Sequence, residues 1–439
     1  MVITEMNQSR SKALCITLRL ENTDVDRCEA HLEELVSLVT TADIDVVDSL
    51  IVPLRGINPS TMFGSGKVEE IASLIEELKV DILVIDQDVP PRVQRNLEKR
   101  YEIAVVDRQE IILQIFSDRA MTKEATLQVA LARQEYSLPR LTRRWTHLSR
   151  QRGGMRGTRD AGETQLEMDR RMVLTKINSL KQELKKVVMQ RETQRKNRLS
   201  NPIPTVAIVG YTNAGKSSLL NLLSQSDVLV EDKLFATLDP TTRKITLPHG
   251  KEVLFSDTVG FVRNLPHKLV EAFSSTLEET RYADIILHIV DASHPDMIHC
   301  YETTKEVLAS LDSHEKPTLL FINKMDKVYE PLEVAHLEAE HTHTLKGSIL
   351  HNEGIDTLLE MIDQLIVENL FSYWYLFPYA RGDLVARLRS EGSITHMSYT
   401  DDGIEVEAFT PEHLKHLLEP FHFLHTNSNN QKKELPQKL

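Results

Sequence analysis

Cysteine is scarce in this chain: three among 439 residues, at Cys15, Cys28 and Cys300. No pair has the close spacing of a zinc site or a disulfide frame, so the expectation is isolated thiols in a reducing compartment. No apolar run reaches the roughly 18 residues that a membrane-spanning helix needs. The opening residues, Met1-Val-Ile-Thr-Glu5, lack the basic-then-apolar order of a secretory signal. A cytoplasmic protein is expected, with peripheral membrane association left open and a monomer as the simplest state. The 17 histidines, His294, His341 and His343 among them, show no ligand spacing.

What the chain does have is length for two to four domains and an ordinary 41% of hydrophobic residues with which to build cores. Its net charge of −13 argues against a polyanion partner until the distribution is examined. Residues 133–198 hold 18 Lys and Arg against 7 Asp and Glu, a local +11 that leaves −24 elsewhere. Such asymmetry points to an element that binds a polyanion.

Residues 13–118 alternate strand-like and helix-like stretches. Leu14–Leu18, Asp45–Val52, Ile82–Ile85 and Ile103–Val106 read as strands, and Lys67–Leu78 and Pro91–Lys99 as helices, giving a small open sheet flanked by helices. Phe63-Gly-Ser-Gly66-Lys67 lacks the spacer of a phosphate loop and reads as a helix entry. Beyond it, Val173, Ile177, Leu180, Leu184 and Val187 form a heptad seam, and Leu127, Leu131, Leu138 and Leu141 are candidates for the facing helix, with Pro139 ending or kinking it. Between them, Gln151–Gly162 is rich in Gly and Arg, which predicts a mobile basic loop at the tip of a long helical hairpin, with Arg152, Arg156 and Arg159 as RNA-contacting candidates. Asn201-Pro-Ile-Pro204 reads as a linker. Phe371–Phe377 reads as packing for a small C-terminal unit, with a hairpin turn at Asp401-Asp402-Gly403 and a helix over Pro411–Leu418. The polar tail from about Thr426 is expected to be disordered.

Gly210-Tyr211-Thr212-Asn213-Ala214-Gly215-Lys216-Ser217 fits the phosphate-binding loop G-x-x-x-x-G-K-[ST], and it lies between a strand-like run, Thr205–Val209, and a helix-like one, Ser218–Leu223. Backbone amides and the helix N-terminus favour phosphate there, Lys216 can reach the β- and γ-phosphates, and the Ser217 hydroxyl suits Mg²⁺. Asp257-Thr258-Val259-Gly260 closes the apolar strand Glu252–Ser256, offering a carboxylate for the Mg²⁺ shell and a Gly amide for the γ-phosphate. Asn323-Lys324-Met325-Asp326 follows the strand Thr318–Ile322. Its Asp326 can accept from guanine N1–H and the exocyclic amine, a donor pair adenine lacks. Ser348-Ile349 stands where a backbone amide could meet the guanine carbonyl. Phe235-Ala236-Thr237-Leu238-Asp239 lies between the phosphate loop and Asp257, where a mobile segment needs a Thr for Mg²⁺ and the γ-phosphate. Thr237 is the choice, with Thr241 and Thr242 as rivals. These segments in this order predict GTP binding, with GTP hydrolysed to GDP and Lys216 and Thr237 as the catalytic candidates. Phe261, directly after Gly260, cannot orient a water by hydrogen bonding, which predicts slow hydrolysis until a partner completes the site.

Gly162-Glu-Thr-Gln-Leu-Glu167-Met-Asp169-Arg-Arg171, together with the four nucleotide segments, resembles the HflX family of ribosome-associated GTPases over residues 13–368. The Gly-Glu-Thr-Gln-Leu-Glu run is the specific part, since ordinary GTPases lack it. Where the family usually has Arg-Gly-Pro-Gly, this chain has Arg159-Asp-Ala-Gly162, losing a rigid proline and adding an anion. The resemblance implies an α/β protein with an N-terminal α/β domain (1–118), a helical hairpin (119–200), a P-loop GTPase domain (201–368) and a small α+β domain (369–439). It also implies binding to the large ribosomal subunit, rRNA and protein together, with splitting or rescue of stalled ribosomes and ribosome-stimulated hydrolysis. An assembly or silencing factor, or an RNA-binding protein using GTP structurally, remains the alternative.

Overall fold

The computed structural model describes residues 10–20, 24–141, 159–198, 203–224, 234–235, 241–248, 250–263, 279–311, 313, 316–327, 331–368, 371–391, 393–410 and 412–423. Four parallel strands open the chain: β1 (Lys12–Leu20), β2 (Asp45–Leu54), β3 (Ile82–Ile85) and β4 (Ala104–Asp107), in the order β2-β1-β3-β4. Parallel pairing demands crossovers, supplied by helices α1 (Val25–Thr41), α2 (Ser65–Leu78) and α3 (Pro91–Tyr101). Both faces of the sheet are covered. Leu14, Ile16, Leu83 and Ile85 point into one core, and Ala13, Cys15 and Val84 into another. That explains the unbroken apolar run at Ile82–Ile85. The glycines around Ser65 do open a helix, with Lys67 reaching Glu70 at 2.6 Å.

Helix α4 (Arg108–Arg119) follows β4 directly, capped by Asp107, whose carboxylate accepts from Glu110 N at 3.0 Å. The same buried carboxylate accepts from Tyr136 Oη and from Arg140, each at 2.8 Å, and so fixes the end of helix α5 (Lys123–Ser137) to the sheet. Burial raises the Asp107 carboxyl, and the bonds from Tyr136 and Arg140 oppose it. Pro139 ends α5 in a short 3-10 turn, Leu138–Arg140. Helix α6 (Arg159–Arg198) runs for 40 residues and packs on α5 and the turn after it through Val173, Ile177, Leu180 and Leu184 against Leu127, Leu131 and Leu138. Leu141 and Val187, at the ends of the expected seam, lie outside this cluster. One expectation is corrected. Arg159 to Gly162 belong to α6 rather than to a loop, because the helix runs on N-terminally past the heptads. Arg152 and Arg156 lie outside the described residues.

The next domain is a six-stranded sheet of order β10-β9-β8-β5-β7-β6. Its strands are β5 (Thr205–Gly210), β6 (Thr241–Thr246), β7 (Glu252–Asp257), β8 (Ile285–Asp291), β9 (Thr318–Asn323) and β10 (Thr344–Lys346). All neighbours are parallel except the β6–β7 pair. The C-terminal ends of β5, β7, β8 and β9 carry Gly210, Asp257, Asp291 and Asn323, so four sequence-distant residues converge on one edge, where open α/β sheets bind ligands. Thr241 and Thr242 are strand residues, paired with Asp257 and Ser256, and Thr242 Oγ1 lies 2.8 Å from Ser256 Oγ.

A small antiparallel sheet follows, β11 (Phe371–Phe377), β12 (Ser393–Thr400) and β13 (Gly403–Thr410), in the order β11-β13-β12. Tyr375 and Phe377 are buried against Leu384, Leu388, Val406 and Leu414, so these aromatics pack a core. Gly403, at the hairpin turn, has φ +149° and lies against Phe377 O, where a Cβ would approach to 2.4 Å. No helix among the described residues is long and apolar enough to cross a membrane.

Candidate nucleotide site

The loop after β5 turns on two glycines that no other residue could replace. Gly210 (φ +151°) would put a Cβ 2.3 Å from Ile289 O, and Gly215 (φ +105°) would put one 2.5 Å from Asn323 Nδ2. Helix α7 (Lys216–Ser224) starts at the end of this loop, so its first N–H groups face the loop's concavity. Lys216 is 6% exposed, and its Nζ donates to Tyr211 O at 2.7 Å and Gly210 O at 3.1 Å. Burial pushes its ammonium down to about 8, with the Asp257 carboxylate acting in the opposite direction.

Ser217 Oγ donates to Asp257 Oδ2 at 2.7 Å, and Asp257 is 1% exposed. A hydroxyl and a carboxylate joined at a helix N-terminus form a hard-oxygen pair that fits Mg²⁺. Thr258 Oγ1 donates to Ile208 O at 2.7 Å, which locks the turn beneath β5. Gly260 lies against the phosphate loop: a Cβ there would be 2.9 Å from Thr212 Cα and 3.0 Å from Lys216 Nζ. Phe261 is 2% exposed, its ring in the core with Tyr211, Val259 and Phe235. Its backbone bridges to the loop, with Phe261 N donating to Gly210 O at 3.1 Å and Thr212 N to Phe261 O at 2.7 Å.

Asn323 is the brace that its sequence position suggests. Its Nδ2 donates to Ala214 O at 2.8 Å and its Oδ1 accepts from Ile349 N at 3.0 Å, tying the phosphate loop to the Ser348-Ile349 turn. Ile349 is buried, and its Cδ1 lies 3.2 Å from where a Cβ on Gly215 would stand. Met325 N donates to Gly347 O at 3.2 Å. Asp326 Oδ1 accepts from Ser348 Oγ at 2.7 Å, a bond that holds its carboxyl below the usual range. The structure therefore gathers Gly210–Ser217, Asp257–Gly260, Asn323–Asp326 and Ser348–Ile349 at one sheet edge. Phe235 stands beside them, its ring edge-on to Phe116 of α4 with centroids 4.6 Å apart. Ala236, Thr237, Leu238 and Asp239 lie outside the described residues.

Sequence reasoning missed Asp291. Its Oδ2 accepts from Lys324 Nζ at 2.7 Å and its Oδ1 from Ser293 Oγ at 2.6 Å, so it holds the lysine within the Asn323–Asp326 segment. The apolar run Ile285–Val290 ending on a carboxylate was the available signal.

The Lys216 environment predicts a pH dependence. The protonated amine is the form that attracts phosphate, and bound phosphate raises its pKa. Affinity should therefore be flat below about pH 8 and weaken about tenfold per pH unit above it. Calorimetry in buffers of different ionisation enthalpy should show proton uptake on GTP binding rising from near zero at pH 7 toward one at pH 9.

A mostly parallel sheet with a glycine loop at its edge, a lysine inside that loop and a braced carboxylate beyond it defines a P-loop GTP-binding protein. Three family models match the chain: GTP-binding GTPase N-terminal over residues 29–117, GTP-binding GTPase middle region over 119–198, and 50S ribosome-binding GTPase over 205–324. Proteins named GTPase HflX are similar along nearly the whole length. One from Akkermansia muciniphila is 42% identical, covering 95% of this chain and 98% of its own. Another, from Treponema denticola, is 48% identical over 77% of this chain and 88% of its own. The chain belongs to the HflX family and is a GTP hydrolase. Among solved structures, a GTP-binding protein from Sulfolobus solfataricus in complex with GDP is 24% identical over 81% of this chain and 98% of that one, with a TM-score of 0.45.

Proposed function

We propose that this GTPase acts in the cytoplasm as a monomer, binds the large ribosomal subunit and couples GTP binding and hydrolysis to the splitting or rescue of stalled ribosomes. The charge separation carries this reading. A +11 segment in a chain of −13 leads straight into the P-loop domain, and most of it is one continuous helix. Arginine-rich segments neutralise RNA phosphates, and here Arg152, Arg156 and Arg159 would do so. The description of the family matched over residues 205–324, a 50S ribosome-binding GTPase, supports the same partner.

At the nucleotide, positioning and charge stabilisation do most of the catalysis. The amides of residues 213–217 and the Lys216 ammonium would hold the phosphates, and the Gly260 amide the γ-phosphate. Ser217 and Thr237 would hold Mg²⁺, with Asp257 holding its water shell; the ion supplies neutralisation of phosphate charge when bound. Asp326 would read the guanine, with the Ile349 amide toward its carbonyl oxygen. Because the Phe261 ring is packed in the core, another group must orient the attacking water, and the ribosome is the natural source of that stimulation.

A sucrose gradient of intact ribosomes with this protein and a non-hydrolysable GTP analogue tests the proposal. The expected result is separation into subunits, with the protein on the large one. Arg156→Ala with Arg159→Ala should weaken ribosome binding about tenfold while GTP binding persists. Intact particles carrying the protein would instead support an assembly or silencing factor. Equal loss of both activities in the double variant would make that segment a folding element.

A further inference from the structure

A buried ion cluster joins the N-terminal domain to the nucleotide site, and nothing in the motif set accounts for it. Arg263 follows the Asp257–Gly260 segment by three residues. Its Nε donates to Glu34 Oε2 at 3.1 Å, and one of its terminal nitrogens donates to Asp86 Oδ1 at 3.0 Å and Oδ2 at 3.1 Å. Arg108, 1% exposed, completes a neutral quartet, 2.9 Å from Glu34 and 3.1 Å from Asp86. Tyr211, within the phosphate loop, donates from Oη to Glu34 at 2.6 Å and accepts there from Arg263 N at 2.7 Å. Glu34 lies on α1, Asp86 directly follows β3 and Arg108 opens α4, so the crevice at the C-terminal edge of the first sheet is filled by a side chain of the GTPase domain. Phe235, just ahead of Thr237, is likewise seated on Phe116 of α4.

Burial alone would raise the Glu34 carboxyl; Arg108, Arg263 and Tyr211 outweigh it and hold it below its usual range. The bonds of the cluster are directional, and a shift of either domain breaks them.

We propose that Arg263 is a positioning residue. Clamped by Glu34 and Asp86, it fixes the segment that carries Gly260 against Lys216 and thereby ties the docking of the N-terminal domain to recognition of the γ-phosphate. The inference rests on GTP binding alone and not on the ribosomal partner. GDP has no γ-phosphate for the Gly260 amide to meet, so the tie discriminates GTP from GDP. Coupling is reciprocal: a nucleotide that favours the docked arrangement must itself tighten it.

Two measurements test this on the full chain. In Arg263→Lys and in Glu34→Gln, the affinity for a non-hydrolysable GTP analogue should fall about fivefold or more, while GDP affinity stays within about twofold. The double variant should lose less than the sum of the two single ones, because both break the Arg263–Glu34 contact. Parallel loss of both nucleotides, or additive losses, would overturn the proposal by making the cluster a structural staple. Should a thermal melt show that these variants do not fold, hydrogen exchange on the unaltered protein decides. Amides of α1 and β3 should be better protected with the GTP analogue than with GDP, and equal protection would sink the idea.

Discussion

Replacing Lys216 with alanine should weaken GTP binding by about a thousandfold. The ammonium is buried, so its attraction for phosphate acts at low effective dielectric and little solvent screens it. Removing one partner from a buried charged contact typically costs about 3–5 kcal/mol, and about 4 kcal/mol corresponds to three decades in affinity. The same change leaves the carbonyls of Gly210 and Tyr211 without the donor they now share, which loosens the loop before any nucleotide arrives. Calorimetry with GDP and with a GTP analogue measures the loss, and a thermal melt in the absence of nucleotide checks the fold. A loss below about tenfold would mean that the backbone amides alone hold the phosphates.

The nucleotide site was legible in the sequence because its chemistry is local. A strand, a glycine turn and a helix start lie within 20 consecutive residues, Thr205–Ser224, and the glycines are required by contacts with Ile289 and Asn323 that any residue with a Cβ would violate. The heptad seam at Val173–Leu184 was legible for a similar reason, since its period is written within one helix. The seam did not show where the helix begins, and Arg159–Gly162 read as loop because glycine and arginine composition is a weak guide to a helix end that packing does not mark. Helix α1 was passed over altogether: its buried positions, Cys28, Leu35, Leu38 and Val39, do lie on one helical face, but they are few and diluted by charged neighbours. Strand β8 was passed over as well, although it is as apolar as β9 and carries Asp291, the partner of Lys324.

The cluster of Glu34, Asp86, Arg108, Tyr211 and Arg263 was illegible for a deeper reason. Its members come from five separated segments, and no spacing rule links a carboxylate on the first helix to an arginine beyond the second nucleotide motif. Only the docking of two sheets makes them neighbours. Phe261 shows the intermediate case. Its chemistry excluded water positioning from sequence alone, but the place of its ring, among Tyr211, Val259 and Phe235, depends on that same docking.

Asp326→Asn should switch the base the site accepts. An aspartate carboxylate accepts two hydrogen bonds, which suits guanine's N1–H and exocyclic amine. An asparagine amide offers one acceptor and one donor, which suits xanthine, where a carbonyl replaces the amine. The carboxylate already accepts from Ser348 Oγ at 2.7 Å, and that bond fixes its orientation; the amide oxygen of asparagine can keep it. Sites built around a specific polar pair reject the mismatched partner strongly, because each unmatched group in the closed site loses its water without gaining a bond. GTP affinity should fall about a hundredfold or more and xanthosine triphosphate should bind in its place, with hydrolysis following the base that binds. The switch separates base recognition from phosphate chemistry. Lys216 and Asp257 are untouched by it, so a variant that binds neither nucleotide would show that Asp326 holds the loop between Asn323 and Ser348 rather than reading the base.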